Sequence, residues 1–142
     1  MRRIAVPYNA RMSTDAQHLL ELTRQLLDAI VARDWSTYER LCAPDLSCFE
    51  PEACGQLVSG LAFHRYYFQL GGGSTPTQVT LSQPHVRVIG DVGVVAYVRL
   101  QQKLDGNGMP RTSAYAETRV WQRTPDGWRH FHFHRSPIEV PA

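Results

Sequence analysis

Two short turns near the C-terminal end constrain this chain more than any other feature, because between them they fix the register of three long strands. The segments 92 to 104, 110 to 124 and 128 to 136 are rich in β-forming residues and are separated by "DGNGM" (Asp105 to Met109) and "TPDGW" (Thr124 to Trp128). Each reads as a type I turn followed by a left-handed glycine, Gly108 in one and Gly127 in the other. Asp105 is then expected opposite Met109, and Thr124 opposite Trp128. Both pairings join residues of equal parity, so the odd-numbered residues of all three strands share a face. Its rows are Gly93, Trp121 and Phe131; Val95, Arg119 and Phe133; Tyr97, Glu117 and Arg135; and Arg99 beside Tyr115.

The aromatic rings mark this as the face that helices cover. It also carries three arginines, Arg99, Arg119 and Arg135, against the single carboxylate Glu117. A guanidinium buried without a partner costs several kcal/mol, so the face implies a polar cavity that holds an anion or water. The even-numbered face, with Val94, Ala96, Val98, Ala116, Thr118 and Val120, is apolar as well. A sheet face open to water alternates with polar residues, and this one predicts a cover, for which a second copy of the chain is the simplest candidate. His130, His132 and His134 of "WRHFHFHRS" are expected on that outer face, the outer two about 13 Å apart by strand rise and so too far to share an ion. Cys42, Cys48 and Cys54 lack the CxxC pairing that zinc sites favour. Neither a metal nor a cofactor is expected.

The N-terminal half supplies the helices. Leu19, Leu20, Leu22, Leu26, Leu27, Ile30 and Val31 form a stripe at helical spacing, broken by Thr23, and a capping box of Thr14 with Gln17 opens it. A second box, Ser36 with Glu39, predicts a short helix through Leu41 that Pro44 terminates. "LSCFE" is a short strand, "SGLAFHRYYFQL" a third helix that "GGGSTP" stops, and 77 to 89 a further strand. Helices followed by a strand meander give an α+β domain, a curved antiparallel sheet on three N-terminal helices. Residues 1 to 13 read as an arm and 14 to 142 as one domain. The net charge of +2 is too small for the basic footprint of nucleic-acid binding. No apolar run is long enough to span a membrane and no signal peptide is evident, so a cytoplasmic location is expected.

Several segments point to a family. "FEPEA", "FHRYYF", "PRT", "ETRVW" and "HFHRS" occur in the order and at nearly the spacing of the association (hub) domain of calcium/calmodulin-dependent protein kinase II, and the resemblance covers about residues 18 to 137. It implies the nuclear transport factor 2-like cone, dimers built into rings, and a central pocket. In that pocket Arg99, Arg119 and Arg135, with His64 from the third helix, would hold a small carboxylate. The connection "QLGGGSTP" is shorter than the family's and lacks its tryptophan. Only an arm precedes the matching part, so neither kinase activity nor calmodulin binding is expected.

Two functions compete. The first is an oligomerising module whose pocket binds a carboxylate through Arg99, Arg119, Arg135, His64, Tyr97 and Glu117. The second is an enzyme of the isomerase, dehydratase or polyketide cyclase kind, with Glu117 as general base, Tyr97 as hydrogen-bond donor and His64 as proton shuttle. The first is preferred, because a salt bridge from Glu117 to Arg135 and Arg99 would keep the carboxylate ionised and a poor base. Glu50 and Glu52 either cap the turn that follows them or reach the pocket.

Overall fold

The computed structural model describes residues 13–70 and 76–139, so most of the N-terminal arm and of the glycine-rich connection lies outside the described residues. Helix α1 spans Thr14–Ala32, α2 Trp35–Leu41 and α3 Ala62–Gln69; the strands are β1 Cys42–Phe49, β2 Val58–Ser59, β3 Gln78–Ile89, β4 Val92–Leu104, β5 Pro110–Thr124 and β6 Gly127–Ile138. A 3-10 turn over Pro51–Ala53 follows β1. Among the described residues no helix is long and apolar enough to cross a membrane.

Both helix starts sit one or two residues earlier than the capping boxes suggested. Ser13, not Thr14, caps α1 by accepting the Ala16 N–H at 3.1 Å. Asp34, not Ser36, caps α2, accepting from the Thr37 N–H at 3.1 Å and its hydroxyl at 2.6 Å. A carboxylate accepts both bonds at once, which a serine cannot match at the same place. Thr23, the polar break in the stripe, is buried, and its hydroxyl donates to the Leu19 carbonyl at 2.8 Å. Arg33 takes a left-handed φ of 57° and ends α1, its N–H bonding the Ala29 and Ile30 carbonyls.

The sheet is mixed, in the order β2-β1-β6-β5-β4-β3. This corrects the antiparallel expectation at one place: β1 runs parallel to β6. The α2–β1 segment precedes the whole meander, so its strand meets β6 through a crossover and not through a hairpin. α1 packs across β3 and β4, and Leu19 comes so close to Gly93 that a Cβ there would stand 2.1 Å from its Cδ1. Leu26, Leu27, Leu41, Leu46, Val95 and Trp121 complete a core between the helices and the concave side.

The β4–β5 register is as the turn predicted, from Leu104 opposite Pro110 to Val92 opposite Gln122. The β5–β6 turn is one residue tighter. Thr124 pairs with Gly127 and Trp121 with His130, and a bulge between Val120 and Trp121 leaves Phe131 unpaired. Beyond the bulge the expected pairs return: Val120 with His132, Arg119 with Phe133, Glu117 with Arg135. The slip changes face for the residues nearest the turn. His130 is therefore buried in the core beneath Trp121, not outside with its neighbours, and Phe131 is only half-buried. A second bulge, at Gln83 with φ 52° between Ser82 and His85, interrupts β3.

Candidate functional site

Strand periodicity carries the site. Tyr97 and Arg99 on β4, Tyr115, Glu117 and Arg119 on β5, and Phe133 and Arg135 on β6 project to the concave side, as their odd numbers require. The end of α1, Tyr38 of α2, His64 and Phe68 of α3, and Glu50 and Glu52 after β1 close around them. The result is a cavity of about 550 Å³ lined by Arg99, Arg119, Arg135, Arg33, Lys103, Glu50, Glu52, His64, Tyr38, Tyr115 and Phe133 among others.

Behind its wall lies a buried charge cluster. Tyr97 donates its hydroxyl proton to Glu117 Oε1 at 2.6 Å, and Arg119 donates through Nε to the Tyr97 oxygen at 2.8 Å and through Nη2 to Glu117 Oε1 at 2.9 Å. Arg99 Nε stands 3.0 Å from Glu117 Oε2 as an ion pair whose N–H is not aligned for a hydrogen bond. Burial alone would raise the Glu117 pKa, but the charges of Arg119 and Arg99 and the bonds from Tyr97 and Arg119 outweigh it and hold the carboxyl below its usual range. Burial pushes the Tyr97 phenol up. The Arg119 guanidinium also lies over the Phe133 ring, 4.5 Å from its centroid.

Arg135 does not pair with Glu117, contrary to the sequence expectation. It reaches across to Glu50 Oε2 at 3.5 Å and to Glu52, so both glutamates of "FEPEA" reach the cavity. Arg99 and Arg135 both stack against Tyr115, 5.1 and 4.8 Å from its centroid. Arg33 and Lys103 have no place in the sequence reading, and Tyr115 enters it only as the neighbour of Arg99 on the inward face. Tyr115 and Lys103 share the parity of Arg99, which was the available signal, whereas Arg33 enters from the end of α1, where no period points.

His64 is buried against Cys48, Glu50 and the Phe133 ring. Burial, then the charge of Arg119, brings its pKa down to about 4. Cys48 Sγ lies 3.5 Å from His64 Nε2, and Glu50 Oε1 lies 3.5 Å from its Nδ1. Burial pushes the Cys48 thiol up to about 12, so the pair is neutral and unsuited to act as a thiolate nucleophile. A second cysteine–histidine contact, Cys42 Sγ to His130 Nδ1 at 3.5 Å, backs onto Arg119 Nη1 through His130 Nε2 at 3.4 Å.

On the convex side Ala96, Ala116, Thr118, His132, His134 and Ser136 line a shallow groove. His132 contacts the Ser47 hydroxyl at 2.7 Å and, with His134, the Phe49 ring.

Residues 15–139 match the family described as the calcium/calmodulin dependent protein kinase II association domain. The chain belongs to this family. The association domain of C. elegans calcium/calmodulin-dependent protein kinase II is 43% identical, with a TM-score of 0.84 over 90% of this chain and 99% of that one. The delta subunit of the type II kinase of Oryctolagus cuniculus is 44% identical over 134 residues, 89% of this chain but 25% of the subunit. This association domain thus spans about a quarter of that curated relative. A nuclear transport factor 2-like superfamily protein from Salmonella enterica serovar Typhimurium, 21% identical with a TM-score of 0.72 over 89% of this chain and 93% of that one, shares the fold. The cone fold expected from the resemblance is the fold of this association domain.

Proposed function

We propose that the chain is a self-assembling association domain whose cavity binds a small carboxylate. Assembly is supported by the convex face, where Val94, Ala96, Val98 and Val120 are only half-buried in the single chain. Static light scattering should give a dimer or larger ring at micromolar protomer, and a monomer would refute assembly.

One observation carries the ligand reading. Among the described residues, five cations border the cavity, Arg33, Arg99, Lys103, Arg119 and Arg135, against the carboxylates Glu50, Glu52 and, behind the wall, Glu117. An anion of one or two charges completes that balance. A carboxylate suits it, because paired guanidinium bonds are planar and charge-assisted, and Tyr115 and Phe133 offer apolar surface to a short carbon chain. Glu52, 37% exposed in its side chain, occupies Arg135 from the protein's own side and is the group such a ligand would displace. Calorimetry with short hydroxy and keto acids should therefore show binding that Arg135→Leu abolishes and Glu52→Gln tightens about tenfold, ~1.4 kcal/mol. No binding to the wild type, or equal binding to Arg135→Leu, would overturn this reading. The geometry favours no enzymatic reading: Glu117, clamped by Arg119, Arg99 and Tyr97, is a poor general base.

A further inference from the structure

Three donor atoms of different chemical type converge beside the cavity, and neither assembly nor carboxylate binding uses them together. Cys48 lies near the end of β1 with its side chain inward, and Glu50, two residues on, returns to the same side. His64 comes down from the first turn of α3 between them. All three are buried or nearly so, and one donor atom from each lies within 4.8 Å of the others. Cys48 Sγ is 3.5 Å from His64 Nε2 and 3.8 Å from Glu50 Oε1, and Glu50 Oε1 is 3.5 Å from His64 Nδ1. Metal–ligand bonds of about 2.0 to 2.3 Å at the tetrahedral angle put ligand atoms roughly 3.3 to 3.7 Å apart. The ion takes a single His64 nitrogen, and with one donor atom per residue the three lie within 4.8 Å of one another, a spacing that side-chain rotation closes to that scale.

We propose that Cys48, Glu50 and His64 bind one zinc-class divalent cation, with a fourth coordination position open to the cavity that His64 and Glu50 line. Thiolate, carboxylate and imidazole are the donor set that borderline-soft divalent ions select over magnesium or calcium. Charge supports the site despite the arginines. The ion brings two positive charges and the thiolate and Glu50 two negative ones, so the loaded site is neutral beside Arg119 and Arg135. Arg135 Nη2 lies 3.5 Å from Glu50 Oε2, the oxygen other than the one beside Cys48, and can orient the carboxylate while Oε1 serves the ion. Binding replaces the thiol proton by the metal: the S–H bond breaks, the S–metal bond forms, and one proton leaves per ion. Sequence spacing hid this site, since the ligands follow a C-x-E pattern with a distant histidine and not CxxC.

The test uses the whole chain in reducing buffer, freed of metal with a chelator and titrated with Co(II) and then Zn(II). One Co(II) per protomer should give a sulfur-to-cobalt charge-transfer band in the near ultraviolet, and one Zn(II) should displace it. Cys48→Ala should abolish the band, and His64→Gln should weaken Zn(II) at least tenfold against a chromophoric chelator. Cys42→Ala and Cys54→Ser should keep band and affinity. Circular dichroism separates loss of ligand from loss of fold in each variant. The proposal is overturned if folded wild type gives no band, if the band survives Cys48→Ala, or if it follows Cys54. Because carboxylate binding is read by calorimetry on metal-free protein, either proposal can fail without the other.

Discussion

Glu117→Leu should destabilise the domain by about 3 to 5 kcal/mol, the cost of leaving a buried charge without its partner. Arg119 is 1% exposed, and both its hydrogen bonds of 2.8 to 2.9 Å end on Tyr97 or Glu117. Removing the carboxylate leaves that guanidinium and the nearby Arg99 without the buried counter-charge that both now face. The same reasoning predicts partial rescue. Glu117→Leu combined with Arg119→Met exchanges an ion pair for apolar volume, and such exchanges are often neutral. Urea unfolding at fixed protomer concentration is the measurement, and a single variant within 1 kcal/mol of wild type would show that the cluster is hydrated or dispensable.

Acid should unfold the metal-free protein earlier than its carboxylates alone would. His64 is held down to about 4 and His130 is lowered too, in each case first by burial and then by the charge of Arg119. Above about pH 6.5, the free histidine value, both states are neutral and neither ring contributes. Between there and about 4 the unfolded chain takes up protons that the folded chain refuses, so stability falls as pH falls. For His64 alone the loss is on the order of 3 kcal/mol, the consequence of a ring held at about 4 in the folded chain. Glu50, raised chiefly by burial, acts with the opposite sign and blunts the slope. The depressed Glu117 adds its own loss only at lower pH, within and below the carboxylate range. Thermal melts from pH 7.5 to 4.5 should show the decline, His64→Gln should flatten it, and a melting temperature constant across that window would disprove the account.

Much of this architecture was legible because strand period and turn chemistry are local. "DGNGM" set the β4–β5 pairing residue for residue, and it alone put Tyr97 and Arg99 on the wall with Glu117 and Arg119. "TPDGW" misled by one residue. Both a two-residue and a longer loop fit Pro-Asp-Gly, and the choice rests on packing: with the tight turn Trp128 is buried and His130 meets Cys42 and Arg119. The correct inward placement of Arg119 and Arg135 survived because the bulge at Phe131 restores the register before it reaches them. Helix caps slipped because Ser13 and Asp34 compete with better-formed motifs next to them. The partners of Arg135 were unreadable for a different reason. Glu50 and Glu52 lie more than eighty residues away along the chain, and the parallel β1–β6 pairing that brings them there leaves no local trace.

That pairing also bears on how the chain is made. β6 lies between β1 and β5, so the strand completed last among the six occupies a central position in the sheet. As synthesis proceeds from the N-terminus, β1 with β2 and the β3–β4–β5 meander emerge as two pieces with no shared hydrogen bonds, each exposing an edge. Only after residue 138 has left the ribosome can β6 bridge them, bringing Arg135 to Glu50 and Phe133 to His64 in the same event. Closure of the sheet and completion of the cavity are therefore one late step in the life of the nascent chain. Until then, the open edges of β1 and β5 are the surfaces a chaperone would have to shield.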